Sequence, residues 1–155
     1  MTIRTRSRLT ISRSVPEVWA YMCDVGRWSE WAPTVREGWV AGGVPLAPGA
    51  RVEQRAKLMF GLTRHRAQTV TAVEAPRRVA FAGPMGTSAA RWGMELEPAD
   101  GEQTETEMWV EVHLGNIMRA IPSRLIKGRI QRVMDIEMDL IKAAIESAPL
   151  QGPAS

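Results

Sequence analysis

The hydrophobic period of this chain changes once, and that change limits what the chain can fold into. Apart from residues 14–33, apolar residues up to Leu114 recur at every second position in short runs. After Gly115 and Asn116 they recur every three or four residues as far as Ala148. A period of two marks strands with one buried face, and a period near 3.6 marks an amphipathic helix. The strand runs are residues 3–12, 35–40, 50–60, 64–75, 79–81, 88–97 and 104–112, separated by Gly- and Pro-rich or polar turns. Short turns favour antiparallel pairing in a meander. Each strand has one apolar and one charged face, so the sheet needs one cover. The C-terminal helix is the only element large enough to supply it.

That helix carries Ile126, Ile130, Val133, Met134, Ile141 and Ile145 on its apolar side. Lys127, Arg129, Arg132, Asp135, Asp139 and Lys142 lie opposite. Pro122 kinks it or marks the start of its long part. From Ser123 to Ala148 it would extend roughly 39 Å at about 1.5 Å per residue. Pro149 ends it, and residues 149–155 read as a flexible tail. Two short helices fill the interval after the first strand. Ser14 is the N-cap of the first, Pro16 lies in its first turn, and Glu17 nearly completes a capping box. Gly26 ends it. Trp28 and Trp31 share one face of the second, which Pro33 stops. No internal repeat or linker divides residues 1–155, so one domain is expected, with its core at about residues 3–148.

The composition agrees with a globular domain: 155 residues, 45% hydrophobic and 24% charged. The formal charge of +3 is too small by itself to argue for nucleic acid. Cys23 is the only cysteine, which excludes an internal disulfide and fits a reducing cytoplasm. The basic N-terminus lacks the apolar stretch of a signal peptide, and no apolar run is long enough to be a transmembrane segment. The 6 Trp and 9 Met stand against 2 Phe and 1 Tyr. Met adapts to irregular apolar shapes, which suits either a core or a pocket.

The stretch ISRSVPEVWAYMCDVGRWSEWAP resembles the opening of the SRPBCC proteins, the START-like helix-grip superfamily. In that pattern a strand precedes P-x-x-V-W, then D, then W-x-x-W. Pro16, Val18, Trp19, Asp24, Trp28 and Trp31 stand in those places. Further on, VEAPRRVAF is similar to the family's middle hairpin at Glu74, Pro76, Arg78, Val79 and Phe81. The nearest group is the polyketide cyclase/dehydrase-like one. The resemblance implies an α+β helix-grip fold: a curved antiparallel sheet of about seven strands, two short helices, and one long C-terminal helix. It also implies a cavity between sheet and helix that takes lipids, hormones, aromatic polyketides or other apolar molecules.

Alternation places Val52, Gln54, Ala56, Leu58, Phe60, His65, Ala67, Thr69, Val79, Phe81, Trp92, Met94, Thr106, Met108 and Val110 on the inner face. A β-bulge would reverse that parity. Gln54, Leu58, Phe60, Thr69, Phe81, Trp92, Met94, Thr106, Met108 and Val110 are therefore assigned to ligand binding, together with Trp31, Ile130 and Met134. His65 is the first candidate for proton transfer, because its ordinary pKa is near neutral; the alternative is a solvated hairpin end. Glu137 is the second. It lies four residues from both Val133 and Ile141, and if buried it needs a partner, such as an Arg from the sheet, or a raised pKa. His113 falls on the outer face. Cys23 reads as a buried thiol. No metal-ligand spacing or nucleotide-binding motif is present, so no metal and no cofactor is expected.

Arg119, Arg124, Lys127, Arg129 and Arg132 form a basic run. Arg4, Arg6 and Arg8 alternate on the first strand. If the two groups met on one face they could attract an anionic ligand, a carrier protein, a membrane surface or DNA. Without base-stacking aromatics among them, nucleic acid is disfavoured. A homodimer stays open. Three functions follow: a carrier, sensor or sequestering protein for a hydrophobic small molecule; a polyketide cyclase or dehydratase that templates ring closure; and a co-regulator or assembly factor acting through its surface.

Overall fold

The structure is a computed structural model that describes residues 1–85 and 87–149, with no side-chain description at Met59 and Ile117. Of the predicted tail, Leu150–Ser155 lie outside the described residues. The strands are β1 (Thr2–Ile11), β2 (Val35–Val40), β3 (Arg51–Lys57), β4 (Thr63–Glu74), β5 (Arg78–Met85), β6 (Ser88–Ala99) and β7 (Gln103–His113). The helices are α1 (Val15–Met22), α2 (Trp28–Trp31) and α3 (Ser123–Ser147), with 3₁₀ turns between elements. All seven strands form one antiparallel sheet in the order β1-β7-β6-β5-β4-β3-β2. This is the helix-grip arrangement that the resemblance implies.

The local signals act as their chemistry requires. The backbone N–H of Ser14 donates to the Glu17 carboxylate at 3.1 Å, closing a capping box on α1. Pro122 immediately precedes α3, after a separate 3₁₀ turn at Asn116–Ala120, so it starts the helix rather than kinking it.

α3 lies along β1 and runs in the same direction. The Ser7 hydroxyl donates to Asp135 at 2.6 Å, and Lys142 donates to the Thr10 carbonyl at 2.6 Å. Arg13 donates to the carbonyls of Glu146 and Ala148, which the helix end leaves without internal partners. Ile126, Met134, Met138, Ile141 and Ile145 are buried. Val133 is not: it is 40% exposed, and Met138, fully buried, takes the central place in the stripe. The helix is rotated toward β1, so its buried stripe is centred further round than the Ile and Val positions alone indicate.

The arginines of β1 do not meet the basic run of α3. Ile3, Thr5 and Ser7 face inward, so Arg4, Arg6 and Arg8 face out. There Arg4 pairs with Glu111, and Arg6 and Arg8 both pair with Glu107, at 2.9 and 2.7 Å. Glu107 is buried between them although it stands on the outer face. On the same face Trp109 lies over Gly93, its register partner. A Cβ at position 93 would meet Trp109 Cζ2 and the Val79 carbonyl oxygen at 2.7 Å each. Only glycine fits there.

Candidate functional site

The grip is closed at one end and open at the other. Toward α1 and α2 the inner face is fully buried: Ile11, Val79, Met94, Leu96, Met108, Met138 and Ile141 pack with Trp28 and Trp31. An aromatic cluster forms the floor. Phe81 and Trp92 stack with centroids 4.4 Å apart, and Trp28 meets the edge of each at 5.3 Å. Toward the other end the inward side chains of Arg66, Gln68, Trp92, Val110, Ile130 and Glu137 are only half-buried. Two concavities on the described surface lie outside the grip. One, of about 180 Å³, is lined by Arg4, Arg6, Arg91 and Glu111 on the outer face, and one, of about 400 Å³, lies beside Pro16 and Pro98.

The half-buried rim carries one acid and one base. Glu137 enters it from α3 and Arg66 from β4. Burial raises the Glu137 carboxyl to about 7, and the positive charge of Arg66 partly offsets the rise. Burial likewise lowers the Arg66 pKa, against the stabilising charge of Glu137. Arg66 Nε donates to Gln54 Oε1 at 2.6 Å, and Trp92 Nε1 donates to Gln68 Oε1 at 2.7 Å. Deeper in, the Thr106 hydroxyl and Trp31 Nε1 are buried with no hydrogen-bond partner among the described residues. The arrangement offers an apolar floor, a polar rim, and one carboxyl that titrates near neutrality.

Of the residues selected from sequence, Trp31, Gln54, Phe81, Met94, Thr106, Met108 and Met134 are buried in the interior, and Trp92, Val110, Ile130 and Glu137 are half-buried in it. His65, Leu58, Phe60 and Thr69 are corrections. His65 Nε2 lies 3.4 Å from the Glu53 carboxylate with its side chain 51% exposed, and its ring lies beside Trp39. Thr69 is exposed. Leu58 and Phe60 are exposed because β3 ends at Lys57 and the chain turns there.

Arg66 and Gln68 are the members that sequence reasoning missed. The β4–β5 register shifts between Val70 and Ala72, so counting back from Val73 selects His65, Ala67 and Thr69. Counting back from Val70, which is buried, selects Gln68 and Arg66. The signal was the competing parity itself. Cys23 is half-buried, and burial pushes its thiol up to about 12, which leaves no thiolate for nucleophilic work near neutral pH. Among the described residues no group of three or more His, Cys, Asp or Glu side chains is placed to hold a metal ion.

The sequence profile of the family described as polyketide cyclase/dehydrase and lipid transport matches residues 2–146. The chain belongs to that family. No curated protein sequence matches it. Among solved structures it is similar to a START superfamily protein from Mycobacterium smegmatis, with a TM-score of 0.75 at 11% identity, covering 92% of this chain and 97% of that one. It is similar to the Zhui aromatase/cyclase of Streptomyces sp. R1128, with a TM-score of 0.73 at 11% identity and 94% of each chain covered. It is also similar to a norcoclaurine synthase point mutant from Thalictrum flavum, with a TM-score of 0.67 at 12% identity and 94% of each chain covered. At these identities the likeness establishes the fold and no activity. Family and fold together point to hydrophobic ligand binding or polyketide cyclase-like work. None of the helices among the described residues is long and apolar enough to cross a membrane.

Proposed function

We propose that this protein binds an apolar small molecule bearing one polar head, polyketide-like or lipid-like, and carries, sequesters or presents it. The observation that carries this reading is the asymmetry of the grip, an aromatic and Met-lined floor beneath a half-buried rim of Arg66, Gln68 and Glu137. A few polar groups converging over an apolar floor orient a ligand, while the apolar surface supplies affinity. The head group would meet Arg66 and Glu137, and the apolar body would displace or slide along the Met side chains, which repack easily.

Fluorescence titration tests this, because Trp28, Trp31 and Trp92 all lie in the grip. Aromatic polyketides and fatty acids should change the emission saturably. Arg66→Met should weaken the tightest of them about tenfold, the worth of one charge-assisted hydrogen bond. Failure of every compound to bind would overturn the reading.

A second reading, ring closure on a polyketide-like chain, is favoured by the placement of Glu137: the side chain is half-buried at the rim on α3, and burial raises its carboxyl to about 7. As carboxylate it would take a proton from the methylene between two substrate carbonyls. The enolate carbon would then bond to a third carbonyl carbon folded against it, and the alkoxide formed there would recover the proton from Glu137. Loss of that hydroxyl with a neighbouring hydrogen would release water. Holding the chain folded supplies much of the acceleration. Glu137→Gln separates the readings: turnover is lost under the second, whereas binding survives under both.

A further inference from the structure

The β3–β4 hairpin ends in an arrangement that the fold itself does not reward. Phe60 is 95% exposed, and its backbone is left-handed, with φ at 61°. Bulky residues rarely adopt that conformation, and here none of the described residues covers the ring in return. Leu58 and Leu62 flank it, 48% and 63% exposed.

The sheet register places this tip at the open end of the grip. Lys57 and Thr63 pair at the tip, and Met85 and Ser88 pair at the next turn. Thr2, Ala89 and His113 align at the same end. The first turns of α3 are also there, since Ile126 packs with Ile3, Ala90, Val112 and Leu114. Beside them Ile121 and Leu125 are 43% and 60% exposed.

The charge of this end is one-sided. Between Glu111 and Asp135 there is no acidic residue, while Arg119, Arg124, Lys127, Arg129 and Arg132 all occur. None of the five forms an ion pair among the described residues. The carboxylates of α3 (Asp135, Glu137, Asp139 and Glu146) lie in its second half. The helix is thus charged against its own dipole, which favours anions at the N-terminus and cations at the C-terminus. Neither the exposed ring nor the reversed charge serves the isolated fold. Both suit a surface that is apolar inside and anionic at its boundary.

We infer that the open end of the grip docks on an anionic lipid bilayer, with Phe60 and Leu62 entering the interface and the basic run of α3 meeting lipid headgroups. An acidic protein would match the charge without needing a protruding aromatic. A bilayer matches both features. The docking surface uses residues outside the Arg66–Glu137 rim, so it stands or falls separately from ligand binding.

Vesicle flotation tests it, with phosphatidylcholine alone and phosphatidylcholine mixed with phosphatidylglycerol. Binding is expected to the mixed vesicles, to fall at high salt, and to be weak on phosphatidylcholine alone. Arg129→Gln and Arg132→Gln should each weaken it about fivefold. Phe60→Gly accepts the left-handed backbone, so it should melt no lower than wild type and yet lose binding. No flotation with the mixed vesicles would overturn the proposal. So would loss with the arginine variants but not with Phe60→Gly, which would mark an acidic protein surface as the partner. A dimer that Phe60→Gly dissociates, with unchanged flotation, would assign the patch to a second copy instead.

Discussion

Glu137 on α3 and Arg66 on β4 oppose one another across the open side of the grip, and burial pushes both toward their neutral forms. Each is the main electrostatic support of the other. Their coupling makes this site pH-sensitive near neutrality.

The stability of the fold should therefore depend on pH through Glu137. Its folded pKa, about 7, lies above its ordinary value of 4.5. Between those values the folded protein holds more protons than the unfolded chain, so stability falls as pH rises through that window. The change should be about 2 kcal/mol, the full shift being reduced because the group is partly solvated. Urea denaturation at acidic and alkaline pH should show Glu137→Gln gaining on wild type as pH rises. A constant difference would contradict the raised pKa.

Arg66→Met should have two separable effects. Gln54, buried to 2% exposure, loses the donor to its Oε1, which costs about 1–3 kcal/mol. Glu137 loses the positive charge that holds its pKa down, so its carboxyl should titrate higher than in wild type. Carbon-detected NMR titration of the Glu137 side chain reads the second effect independently of stability.

Thr106→Val replaces a hydroxyl that is buried without a partner among the described residues. The substitution should leave stability unchanged or raise it by about 1 kcal/mol, because no internal hydrogen bond is lost. A drop of several kcal/mol in thermal or chemical denaturation would mean that the hydroxyl is satisfied.

His65→Ala should leave ligand affinity within about twofold of wild type and cost no more than about 0.5 kcal/mol. Its ring faces Glu53 and Trp39 rather than the grip. A tenfold loss in the fluorescence titration would return His65 to the site.

Gly93→Ala should destabilise the sheet by about 1–3 kcal/mol or more. The added methyl meets the Val79 carbonyl oxygen, which is backbone and cannot step aside, as well as the Trp109 ring. A melting temperature equal to wild type would show that β5 and β6 separate without cost.

The sequence by itself determined the elements and their order. Gly115 and Asn116 mark the change from strand to helix period, Ser14 and Glu17 cap α1, and Pro122 starts α3. These are signals read within a few residues of where they act. It also indicated Glu137, because a carboxylate in an apolar stripe needs an explanation wherever it lies. Only the tertiary structure decided which β4 residues meet Glu137. A single irregularity between Val70 and Ala72 exchanges the two faces of the strand, turning His65 and Thr69 out and Arg66 and Gln68 in. Strand parity is a binary choice that local sequence leaves nearly balanced when both faces carry polar residues. The balance is broken by the partners across the sheet, Gln54 and Trp92, which lie 12 and 24 residues away along the chain.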